Sequence, residues 1–169
     1  MIVAAKDRPF SLSLVLSGED VSKLADPSSD DVLELLYGLN PSGGPGFACL
    51  AEAADFGDYV QVAGGFDPAA GCQRYCVERR VFARTSDDRI VSPYEYYHLV
   101  AGFPDAGLQG ETTVRTNGFK VDCRTNEVLS LEDAIAIFHA FMDARDLPTD
   151  YEWRSNRPEV DRIGELGRN

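Results

Sequence analysis

Two histidines, four cysteines and a run of three nearby tyrosines are the residues of this 169-residue chain with the chemistry to act on another molecule. His98 follows Tyr94, Tyr96 and Tyr97 in a β-prone segment, so its ring is either packed and hydrogen-bonded or set in a pocket as an acid or base. His139 and Asp143 stand four apart on a helical pattern and could touch one metal ion, but zinc needs three or four ligands, and a surface pair is the simpler reading. Cys72 and Cys76 fall on a strand-like stretch, which separates their Cα atoms by ~13 Å, beyond a disulfide or a shared zinc. Cys49 and Cys123 each stand alone in apolar or strand-like surroundings. Four free thiols in a reducing cytoplasm are therefore expected.

No serine elbow, phosphate loop or acid pair adds to this set. Gly43-Gly44-Pro45-Gly46 follows a helix pattern instead of a strand and lacks the Gly-Lys-Ser or Gly-Lys-Thr that would hold a phosphate. Asp30-Asp31, Asp87-Asp88 and Glu132-Asp133 are sequence neighbours, the spacing of solvated charges and helix starts rather than of cooperating carboxyl groups. The expectation is no catalytic residue, no metal and no cofactor. The tyrosines are either the faces of a half-buried strand or an exposed aromatic patch for a partner.

The elements that would position these residues are legible. Phe10, Leu12, Leu14 and Leu16 alternate with Ser11, Ser13, Val15 and Ser17, which is a half-buried strand and not the apolar run of a secretory signal. A polar loop should follow. Ser28 or Ser29 then opens a helix whose Val32, Leu33, Leu35, Leu36 and Leu39 form an apolar stripe. Phe47–Leu50, Tyr59–Ala63 and Gln73–Arg84 read as a meander, with Gly64-Gly65-Phe66-Asp67-Pro68 as one of its turns. Tyr94–Val100 and Phe119–Cys123 are later strands, and Gly102–Gly118 is largely loop. Ser130, with Asp133 three residues on, caps a final helix carrying Leu131, Ala134, Ile135, Phe138, Phe141 and Met142 on one face. The fold class expected is α+β: residues 1–153 as one domain, a largely antiparallel meandering sheet with an early and a late helix packed on it. Residues 154–169 would be a polar tail.

Charge constrains partners. With 16 basic against 28 acidic residues the net charge is −12, which disfavours direct contact with nucleic acid or anionic membranes. No apolar run approaches the ~20 residues of a membrane span. Nine acids and one base lie between Glu19 and Asp58, and seven acids and one base between Glu127 and Glu152, so two distant segments could build one acidic face.

The order and spacing of certain motifs resemble a known family. These are Ser29-Asp30-Asp31-Val32-Leu33, Leu39-Asn40-Pro41-Ser42-Gly43-Gly44-Pro45-Gly46-Phe47, Asp58-Tyr59-Val60-Gln61-Val62-Ala63-Gly64-Gly65, Arg74-Tyr75-Cys76-Val77-Glu78-Arg79-Arg80, Leu129 to Ala134 and Tyr151-Glu152-Trp153. Across Pro27 to Trp153 the chain resembles immunity protein family 1 of bacterial polymorphic toxin systems, whose members neutralise cognate toxins, including nucleic-acid deaminases and nucleases. The resemblance implies a cytoplasmic binding protein and no enzyme, with Gln61, Glu78, Arg79 and Trp153 defining the fold. It implies as partner a toxin with a basic groove, which Glu132, Asp133, Asp143, Asp146 and Asp150 would cover, with Tyr94 and Tyr97 as aromatic contacts. The alternative expectation is a small α+β enzyme or ligand-binding protein with a pocket around His98.

Overall fold

A computed structural model describes residues 9–16, 19–53, 57–83, 85–87, 89–92, 95–104, 110–144 and 146–156, with backbone alone for 15, 16 and 19–21. Apolar alternation builds its seven-stranded sheet. The strands in chain order are β1 (Phe10–Leu16), β2 (Glu19–Ala25), β3 (Phe47–Glu52), β4 (Tyr59–Asp67), β5 (Cys72–Phe82), β6 (Tyr96–Gly102) and β9 (Glu152–Ser155). They lie in the order β2-β1-β3-β4-β5-β6-β9, and every neighbouring pair is antiparallel. A separate hairpin comprises β7 (Glu111–Arg115) and β8 (Lys120–Arg124). The chain is thus an α+β fold.

One sheet face is covered by two helices, α1 (Ser29–Gly38) and α2 (Leu131–Ala144). Leu12, Leu50, Val60, Val62, Tyr75 and Val77 point to that side and are buried against Val32 and Leu36 of α1 and Ala134, Ile137, Phe138 and Phe141 of α2. Side chains of the intervening positions emerge on the other face, as the two-residue period of a strand requires. There the β7–β8 hairpin packs through Val114 and Cys123 onto Cys76 and Val100. This hairpin covers only part of the face.

Both helices start with the same device. Ser28 Oγ accepts from the Asp31 N–H while the Asp31 carboxylate accepts from the Ser28 N–H at 2.7 Å, and Ser130 with Asp133 repeats the arrangement at 3.2 and 3.0 Å. Ser130→Ala is expected to cost about 1 kcal/mol, read as a lowered urea midpoint with unchanged slope.

Several sequence expectations are corrected. The polar segment after β1 is strand β2, because β1 needs a partner on its outer side and residues 19–25 supply backbone groups whatever their polarity. Gly64 and Gly65 lie inside β4, and the turn comes at residues 68–71. The ordered chain continues past residue 153: Arg154 and Ser155 belong to β9, paired with Val100 and Leu99. Cys123 does not stand alone, for it meets Cys76 where the hairpin joins the sheet. All four cysteines are free thiols.

Candidate functional site

The two helices put acids on one side of the molecule. α1 carries Asp30, Asp31 and Glu34, and α2 carries Glu132, Asp133 and Asp143; neither contains a lysine or arginine. Asp30, Glu34, Glu132 and Asp143 are exposed, as are Asp146 and Asp150 just beyond α2. The helices pack against each other, with His139 Nε2 3.4 Å from the Ser29 carbonyl oxygen. Asp133 differs from its expected role: its carboxylate accepts from Ser130 and, at 2.8 Å, from the Tyr151 hydroxyl, so both oxygens are occupied within the chain. Asp146 accepts from the Leu147 N–H at 2.8 Å and remains exposed.

The tyrosine expectation divides. Tyr94 lies outside the described residues. Tyr97 is half-buried opposite Val81, on the helix side of β6, and therefore offers no open aromatic patch. The neighbouring Tyr96 is the exposed one, and it faces the other way beside His98, with ring centroids 5.9 Å apart.

That other face holds a second arrangement. Gln61 of β4 and Glu78 of β5 are register partners, and Gln61 Nε2 donates to Glu78 Oε2 at 2.6 Å. His98 Nδ1 lies 3.7 Å from the same oxygen, and His98 Nε2 lies 2.7 Å from the Tyr59 hydroxyl. A proton on Nδ1 faces the carboxylate, which leaves Nε2 to accept from Tyr59. Burial pushes the Tyr59 hydroxyl up to about 12 against the opposing pull of the Arg80 guanidinium, so the phenol keeps its proton at neutral pH. Arg80 is itself seated among rings, 4.1 Å from the Tyr59 centroid and 4.6 Å from that of Phe82, and donates to the Gly57 carbonyl.

Beside this row of side chains, where the hairpin stops, is a recess of about 290 Å³ lined by Phe47, Gln61, Ala63, Cys76, Glu78, Phe119, Lys120 and Val121. Phe47 and Phe119 form a tilted pair with centroids 6.1 Å apart. The hydrogen bond to Cys123, together with burial, holds the Cys76 thiol far above its ordinary value, which removes it as a nucleophile. Among the described residues no three His, Cys, Asp or Glu side chains converge as a metal site would require.

The chain matches no protein-family model, no curated protein and no solved structure.

Arg79 and Trp153 are the other two residues expected to define the fold. Arg79 lies on the helix side, 3.3 Å from Asp58 and 5.4 Å from the Phe141 ring centroid. Trp153 packs on the main core and donates to the Pro148 carbonyl at 3.1 Å. The glycine-rich loop at 43–46 is closed on itself: Gly43 and Gly44 donate to the Asn40 carbonyl and Asn40 to that of Pro45. Sequence reasoning missed Tyr59 and the pairing of Gln61 with Glu78 as site features. Only the β4–β5 register could have disclosed that pairing. No described helix is long and apolar enough to cross a membrane.

Proposed function

We propose that this chain is a binding protein of the immunity type, which neutralises a nucleic-acid-targeting toxin by laying its helix layer over a basic active groove. The observation that carries the reading is the charge of that layer: six acids on two adjoining helices without one lysine or arginine. Asp31 and Asp133 serve the helix caps, but the exposed acids Asp30, Glu34, Glu132 and Asp143 form no such cap, and a basic partner is steered toward them and held in register. Its contact set is Asp30, Glu34, Glu132, Asp143, Asp146 and Asp150, without Asp133, whose oxygens serve the cap and Tyr151.

The test is co-expression with the candidate toxin encoded beside it, reading survival and co-purification. Changing Asp30, Glu34, Glu132 and Asp143 to their amides should slow association at low salt by about ten-fold or more and flatten its salt dependence. A complex whose association rate and salt dependence ignore all four changes would sink the acidic-layer mechanism. A second reading, ligand binding on the opposite sheet face, is favoured by the Glu78–His98–Tyr59 chain beside a recess with aromatic walls.

A further inference from the structure

The recess on the sheet face offers unpaired acceptors at its floor, beside the second N–H of the Gln61 amide. Glu78 Oε2 receives Gln61 and faces His98, so Glu78 Oε1 and Gln61 Oε1 remain without a partner among the described residues. Neither atom is shut away from solvent without a partner, in contrast to Arg79 Nε, Arg80 Nε and Asn126 Oδ1. These two oxygens are carried by register partners of adjacent antiparallel strands, whose Cβ atoms are about 5 Å apart. One belongs to a carboxylate. Two aromatic rings, Phe47 and Phe119, form the adjoining wall.

We infer that this recess binds a guanidinium or amidinium group. A planar cation with several N–H donors can serve the Glu78 carboxylate and the neighbouring Gln61 amide oxygen together, and its faces suit the quadrupole of phenylalanine rings. The same sheet face already seats one guanidinium in this manner, since Arg80 lies over Tyr59 and Phe82 with its N–H on a backbone carbonyl. Arg80 is committed there and does not fill the recess. Lys120 is exposed at the rim, where its flexible stem lets the ammonium stay in water. The cation can come from a free small molecule or from an arginine side chain of a protein partner. The inference rests on the reading of this face as a ligand site, and it is independent of the acidic helix layer.

The experiment titrates the full chain with benzamidine and with benzamide, its neutral counterpart of nearly the same shape, and follows the NMR signals of Phe47, Gln61 and Phe119. Benzamidine should saturate those signals with a dissociation constant on the order of 1 mM, and benzamide should bind at least about ten-fold more weakly. Glu78→Gln, which preserves the side-chain shape, should abolish that preference, Phe119→Ala at an exposed ring should weaken both probes, and Lys120→Met should strengthen benzamidine binding. Free arginine and a short peptide with a central arginine then distinguish the source: tighter binding by the first assigns a small molecule, by the second a protein side chain. Equal binding of the two benzene probes at the recess would overturn the cation assignment and leave the ligand site standing. Absence of any shift at these residues would remove both.

Discussion

Arg154→Ala is expected to cost about 3–5 kcal/mol of stability. Glu127 is 2 % exposed, at the end of the 3-10 turn (Thr125–Glu127) that leads from the hairpin to α2. Its carboxylate receives Arg154 Nε on one oxygen and Arg154 Nη2 at 2.9 Å on the other, which also accepts from the Arg124 N–H at 2.7 Å. Burial raises the pKa of Glu127, and the hydrogen bonds from Arg154 and Arg124 outweigh it, so the net shift is downward. Truncating Arg154 leaves a charge in the interior with one remaining donor.

The pH dependence follows from that shift. A carboxyl group whose folded value lies below its unfolded value, ~4.3, contributes stability that is complete above the unfolded value and is lost as pH falls through the folded one. The gap between the parent chain and Arg154→Ala should therefore be widest near neutral pH and narrow on acidification below about pH 4. Urea unfolding at a series of pH values reads this directly. A gap that stays constant or widens in acid would refute the assignment of the loss to Glu127. Glu127→Met combined with Arg154→Met should recover part of the loss, the Arg124 N–H remaining without its acceptor.

Gly65→Ala and Gly64→Ala are each expected to exceed about 4 kcal/mol and to yield little folded protein. Gly64 has φ +132° and a Cβ there would lie 2.1 Å from the Arg74 carbonyl oxygen; Gly65 has φ +137° and its Cβ would lie 2.2 Å from the Leu39 carbonyl oxygen. Both obstacles are backbone, one in β5 and one at the C-terminal end of α1, so neither can rotate aside as a side chain would. Gly71→Ala separates the two contributions. It has φ +68° with nothing within 4 Å of the added carbon, so it should cost only the left-handed penalty of roughly 1–2 kcal/mol. If all three variants melt alike, the close approach of backbones is not what these glycines serve. The same β4–β5 pairing sets Gln61 opposite Glu78, so loss of the glycines would also disperse the recess.

Much of the frame was legible because it rests on local rules. Alternation in Phe10–Leu16, the Ser28 and Ser130 caps and the helical stripe from Leu131 to Met142 each express one period or one hydrogen-bond motif, and all recur in the structure. The errors arose where a residue type carried two meanings. Gly64-Gly65 read as a turn because glycine marks turns, yet here it admits neighbouring backbone into a strand. Residues 19–25 read as loop because an edge strand is defined by its partner and needs no apolar pattern. Arg154 read as tail because the carboxylate that holds it lies 27 positions away in the chain.

By itself the sequence determined the α+β class, the two capped helices, the excess of acids and their division into two blocks, since these depend on composition and on contacts within a few residues. Only the tertiary structure decided that three acids from each block meet on one helix layer and that the Asp133 carboxylate is engaged inside the chain. It alone set Tyr96, and not Tyr97, on the face of His98, and brought Tyr59, Gln61, Glu78 and His98 into one row, joined by two hydrogen bonds and a 3.7 Å approach of His98 to Glu78. The reason is register: a shift of one residue between β4, β5 and β6 would send every one of these side chains to the other face, and pairing between distant strands is set by the packed core as a whole.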